Sequence, residues 1–204
     1  LMAAELPPSE KILINGFISV AGQKMSKSLG NVIAPAEMVT RYGKDATRYL
    51  LMNLGPFGTD MDVTWEKLDT SYTALLSNGL GNLCSRVAKL CEKTNLENTT
   101  ILNKDARETL IPEYMKALRN FEISEALQYT ENIQEGLDRN LAEQQPWKQE
   151  TAEAQRTLLK AVQDIRVLAV LLSPFMPELA AKISEHFAQP HISALTPLFP
   201  RLGN

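Results

Sequence analysis

Apolar positions follow one rhythm in the first sixty residues of this chain and a different one in the rest. In "KILINGFISV" (Lys11 to Val20) β-branched and aromatic residues surround Asn15-Gly16, a dipeptide that favours two-residue turns. The pattern predicts a short hairpin or two strands there. An exposed loop follows, from Gly22 to Asn31. Pro35 suits the first position of a helix and Gly43 its stop, so "APAEMVTRYG" predicts a short helix. "KDATRYLLMNL" predicts a second, with Tyr49, Leu50 and Leu54 facing inward. "GPFGTDMDV" reads as a loop by its glycines and proline.

From Thr64 the period lengthens to three and four residues. Trp65, Leu68, Tyr72, Leu75, Leu76, Leu83, Val87 and Leu90 form one apolar stripe, which predicts a long amphipathic helix to about Lys93. Thr64 is its candidate cap, with Glu66 in the first turn. "TNLENTTILNKD" is a polar connector. Further helices are predicted over 106–120, 124–143 and 149–172, and from Pro174, capped by Ser173, to Phe187. The proline-rich tail is expected to pack back in extended form. The fold class is therefore mainly α: a small strand-loop-helix-helix α/β piece over residues 1–62, then an antiparallel α-helical bundle over 63–204.

Composition narrows the chemistry. With 44% hydrophobic and 22% charged residues over 204 positions, the chain can bury a core of ordinary size. A net charge of −3 excludes a general nucleic-acid coat but not a local basic patch. No apolar run is long enough for a membrane, and the default location is cytoplasmic. Leu1 stands where an initiator Met would be, and "LMAAELPPSE" reads as a connector, so a fragment of a longer protein or a processed N-terminus is expected. Cys84 and Cys91 lie seven apart on a predicted helix, about 10 Å, too far for a disulfide. They and the two histidines, His186 and His191, do not have zinc-site spacing. No metal site is expected.

The chemistry concentrates in "GQKMSKSLGN". Two glycines let the loop bend, Lys24 and Lys27 supply cations, and Ser26 and Ser28 supply hydroxyls. Such a loop can stabilise charge on phosphates in a transition state, and the Walker pattern of a P-loop is absent. By charge alone it is equally a solvated basic turn. Asn78, Asn82, Arg86, Lys89 and Lys93 share one face of the long helix, and amide and guanidinium groups can read base edges. Trp147, after Pro146, can stack on an unpaired base, and is otherwise a core or capping residue.

"KMSKS" (Lys24 to Ser28) is identical to the signature loop of class I aminoacyl-tRNA synthetases, and "NGFISVAGQKMSKSLGNVIAP" and "YGKDATRYLLM" resemble its setting in that family. "PFGTDMDVTWEKL", "SNGLGNLCSR", "QQPWK" and "LFPR" are similar to the methionyl members. One departure is Asn15-Gly16-Phe17, where the family often has His-Gly-Phe. The resemblance implies that Lys24 and Lys27 are catalytic and that Lys24, Met25, Ser26, Lys27 and Ser28 close on ATP as pyrophosphate leaves. It implies a bundle of the class I anticodon-binding type, with Asn82, Arg86 and Trp147 recognising the CAU anticodon of tRNA-Met. The family's His-Ile-Gly-His motif and zinc insertion do not occur. The chain therefore reads as a C-terminal fragment, inactive alone, whose ATP (with Mg2+) and methionine are bound mainly by an absent Rossmann domain. Two alternatives are a fragment of a leucyl, isoleucyl, valyl or cysteinyl enzyme, and a stand-alone tRNA-binding module.

Overall fold

The computed structural model describes residues 3, 5–99 and 112–203, with the Lys27 side chain outside that description. It is mainly helical, with a small mixed sheet near the N-terminus followed by helices. Strands β1 (Ile18–Val20), β2 (Gln23–Lys24) and β3 (Met61–Val63) form a sheet in the order β2-β1-β3. β1 pairs antiparallel with β2, Ser19 opposite Lys24, and parallel with β3, Ser19 opposite Asp62.

The hairpin is not where the sequence puts it. Its turn is Ala21-Gly22, both with positive φ (52° and 74°), the backbone that right-twisted strands need in a two-residue turn. Gly16 serves a different purpose. A Cβ there would overlap the Thr59 carbonyl, so the glycine permits close approach of two backbones. The apolar residues Ile12, Leu13, Ile14 and Phe17, before β1, are exposed.

The crossover from β2 to β3 carries α1 (Pro35–Tyr42) and α2 (Lys44–Met52). Pro35 starts α1, with Glu37 in the first turn and Arg41 in the last, each at the dipole end that favours its charge. Gly43 (φ 82°) breaks the two helices apart. Tyr49 and Leu50 are buried as expected, and Leu54 is half-buried.

The long helix is continuous but not uniform. Thr64 caps it, its hydroxyl accepting from the Lys67 amide at 3.2 Å. An α-helical start, α3 (Trp65–Ser71), passes into a π-helical stretch (Tyr72–Gly81) and then α4 (Asn82–Lys93). Leu68, Tyr72, Leu76 and Leu80 are buried through the change. Trp65 is partly buried against the core, as the stripe predicts.

The remaining helices are α5 (Pro112–Arg119), α6 (Ile123–Gln144), α7 (Thr151–Leu172) and α8 (Pro177–His186). The first part of the helix predicted from 106 lies outside the described residues. The last helix begins at Pro177, not Pro174. Ser173 does not cap it: its hydroxyl donates back to the Val170 carbonyl at 2.7 Å and so finishes α7. α7 is the central rod, with Leu158, Val162 and Ile165 fully buried against α6, α8 and α4. The tail packs back as expected, burying Ile192 and Phe199, while the Tyr72 hydroxyl donates to the Pro200 carbonyl at 2.8 Å. Cys84 and Cys91 are buried free thiols. Among the described residues, no helix is long and apolar enough to cross a membrane.

Candidate active site

The lysine loop grows directly out of the β1–β2 hairpin. Lys24 ends β2, exposed, with its ammonium 5.9 Å from the centre of the Phe17 ring. Met25 is half-buried and packs on the core, which gives the loop an apolar anchor. Lys27 begins a single 3-10 turn (Lys27–Leu29). Asn31 ties the two ends of the loop together: its carbonyl accepts from the Ser26 amide at 2.8 Å, and its amide donates to the Lys24 carbonyl at 3.3 Å. The Ser26 and Ser28 hydroxyls share a 2.8 Å hydrogen bond. Lys24 and the two hydroxyls thus stand on a closed loop at the open end of the sheet, an arrangement suited to phosphate oxygens.

Two carboxylates that the sequence reading leaves in a plain loop hold this hairpin down. Asp60 accepts from the Phe17 amide at 2.8 Å, and Asp62 from the Gly22 amide at 2.7 Å and the Ser19 hydroxyl at 3.0 Å. Lys67 of α3 pairs with the other Asp62 oxygen at 2.7 Å. These donors, Gly22 first and then Lys67 and Ser19, hold the Asp62 carboxyl down at about 2. The signal available in sequence is the Asp-x-Asp spacing of "TDMDV", which puts both side chains on one face of a strand.

Asn82 and Arg86 stand one turn apart on α4. Asn82 is exposed and lines a groove of about 590 Å³ with Asn78, Ser85, Lys89 and Arg201 of the tail. Arg86 is ion-paired with Asp138 of α6. Trp147 is 45% exposed, on a 3-10 turn (Pro146–Lys148) between α6 and α7. Gln145, left-handed at φ 46°, sets the direction of that turn. The structure joins Arg86 to α6, the helix that leads into the tryptophan turn, but keeps the lysine loop on the sheet, apart from both. Among the described residues no three His, Cys, Asp or Glu side chains converge as a metal site.

Comparison with known proteins fixes the relationship. The family model described as tRNA synthetases class I (M) matches residues 1–88. Methionine–tRNA ligase of Thermosynechococcus vestitus is 34% identical over 197 residues, 90% of this chain and 37% of that protein. The Streptomyces coelicolor ligase is also 34% identical, over 96% of this chain and 40% of that protein. The chain is a partial homologue of methionine–tRNA ligase. It spans about two fifths of the length of these curated relatives. Mycobacterium tuberculosis methionyl-tRNA synthetase bound by methionyl-adenylate superposes with a TM-score of 0.81 at 26% identity, over 98% of this chain and 46% of that one. The ligand-free form of that enzyme, at 24% identity and a TM-score of 0.80, shares the fold.

These matches correct four expectations. The family model takes in the lysine loop, α1, α2 and the long helix as far as residue 88, and it points to the catalytic core of methionine–tRNA ligase. Identification as a C-terminal anticodon-binding fragment is therefore overturned. With it goes the function assigned to that fragment, recognition of the CAU anticodon by the bundle; the support is for an adenylate-forming domain. The assignment of ATP mainly to an absent domain is overturned too, because the family model matches residues 1–88 of this chain. The same match overturns the confinement of ATP and methionine to a missing domain.

Proposed function

We propose that this chain is part of the adenylate-forming machinery of a methionine–tRNA ligase, acting in the cytoplasm. The observation that carries the reading is the lysine loop itself: Lys24 is exposed at the mouth of a closed, hydroxyl-bearing loop, within the segment matched by the synthetase family. The residue assignment is Lys24, Met25, Ser26, Lys27 and Ser28 for ATP, with Lys24 and Lys27 as the catalytic cations. Amino-acid activation moves negative charge onto pyrophosphate as the carboxylate attacks the α-phosphorus. Fixed cations beside the departing phosphates lower that barrier without any nucleophile in the protein. Methionine as the amino acid is supported by the relatives' identity and by the methionyl-adenylate bound to the Mycobacterium enzyme.

The division of labour follows the change of rhythm near residue 63. The segment 1–62 carries the loop, and the described helices from Trp65 onward form the helical platform of the segment 63–204. tRNA is the acceptor in this chemistry, and Asn82, Arg86 and Trp147 are assigned to contact with it. Support for this is the exposure of Trp147 and Asn82 and the fixing of Arg86 by Asp138.

ATP titration, read by hydrogen exchange at residues 22–31, tests the loop. ATP should slow exchange there, and Lys24→Ala should weaken its affinity about tenfold, the loss of one charge-assisted contact. Absence of protection at any ATP concentration would remove the reading.

A further inference from the structure

We infer that Asp62 is the positioning residue of the lysine loop, latching the hairpin that carries Lys24 to the first turn of the long helix. The inference rests on the reading of Lys24 and Lys27 as phosphate-binding cations, and it concerns what aims them.

The geometry is a junction of three elements at one carboxylate. Its Oδ1 accepts from the Gly22 amide, inside the hairpin turn, at 2.7 Å, and from the Ser19 hydroxyl at 3.0 Å. Ser19 is the cross-strand partner of Lys24, so Asp62 grips the hairpin both at its turn and directly across from the lysine. Its Oδ2 takes the Lys67 ammonium at 2.7 Å, and that ammonium also reaches the Asp62 carbonyl at 3.3 Å. Lys67 lies in the turn capped by Thr64. The side chain of Asp62 is 32% exposed, yet both its oxygens are committed to protein donors.

A negative group this close to the loop is a poor ATP contact, since it repels phosphate. Fully engaged as it is, it works through the backbone instead. The β1–β2 pair has only two residue pairs of ladder, too few to fix a hairpin's direction. Asp62 supplies the missing restraint. Asn31 closes the loop's far end on Lys24 and Ser26, so the segment from Lys24 to Asn31 moves as one piece. Its pivot is Gly22, at positive φ. With the Gly22 pivot held, the lysines swing along one arc, referenced to the long helix.

Residue-resolved hydrogen exchange on the full chain tests this, with Asp62→Ala, Asp62→Asn and Lys67→Met compared with the native protein. Asp62→Ala should speed exchange at Gly22, Ser26 and Leu29 about tenfold, while the α4 amides stay within about twofold of native. Asp62→Asn keeps an acceptor for Gly22 and should fall between the two, as should Lys67→Met. Unchanged loop amides in Asp62→Ala, or equal acceleration in α4, would overturn the latch. ATP affinity provides the readout that a merely structural role would not move. Asp62→Ala should weaken ATP several-fold in the native background and clearly less in a Lys24→Ala background, where one of the two lysines it aims is gone. Additive losses would also overturn it. If native protein gives no ATP protection, the functional reading of the loop fails, while the exchange comparison still decides whether Asp62 holds the hairpin.

Discussion

At the scale of single residues, the structure gives several side chains roles that their type alone does not suggest. Gly16 is required by contact, not by turn geometry. Gly16→Ala should therefore push the Phe17–Asp60 and Gly22–Asp62 contacts apart and loosen the whole hairpin, seen as faster exchange from Ile18 to Lys24. Cys84 and Cys91 are buried, and burial pushes both thiols up to about 12. Neither is a nucleophile at neutral pH. Both should react with a disulfide reagent only at the rate of global unfolding; a fast reaction in native buffer would contradict their burial. Trp147 is legible in sequence as a tryptophan after proline, and the structure leaves its ring open to solvent. Trp147→Ala should cost single-stranded RNA affinity about 1–3 kcal/mol with little effect on the melting temperature.

At the scale of elements, local pattern was a good guide wherever local forces decide. The long helix, its Thr64 cap, the short helix pair and the paired helices α6 and α7 were all legible, because their periodicity is the periodicity of burial. The misses have a common cause. The hairpin turn moved from Asn15-Gly16 to Ala21-Gly22 because β1 chooses its partners partly by pairing in parallel with β3, forty residues on. The last helix starts three residues late because Ser173 satisfies α7 behind it. Its own first turn is capped by a remote group: Asp45 of α2 accepts from the Leu179 amide at 2.6 Å. Arg48 donates to the Phe175 and Pro174 carbonyls at 3.0 and 2.9 Å, and Lys44 pairs with Glu178. No local scan finds a cap supplied from so far away. Asp45→Ala should cost about 1 kcal/mol, the ordinary worth of an N-cap, and lower the melting temperature by a few degrees.

At the scale of the whole molecule, carboxylates that join distant elements set the response to acid. The Gly22 amide, with Lys67 and Ser19, holds Asp62 at about 2, and Arg41 lowers Asp69, whose carboxylate also accepts from Tyr42 at 2.7 Å. A carboxylate held below its unfolded value of about 3.9 contributes stability above that pH and loses it as pH falls through the folded value. The sheet-to-helix junctions should therefore weaken between about pH 4 and pH 2. Glu131, raised by burial, works in the opposite sense and favours the fold most when protonated. Denaturant midpoints measured at pH 7, 4 and 3 should fall in that order, with Asp62→Asn flattening the acid limb.

The clamp between α2 and the last helix also governs the order of events in synthesis. Asp45 meets its partner 134 positions later in the chain, and Tyr72 meets Pro200 128 positions later. When α2 leaves the ribosome, the groups that will complete it have not yet been made. Until Pro177–His186 and the tail are made, these contacts of α2 and Tyr72 stay open. A nascent chain paused before Pro174 is thus the form most exposed to proteases and chaperones.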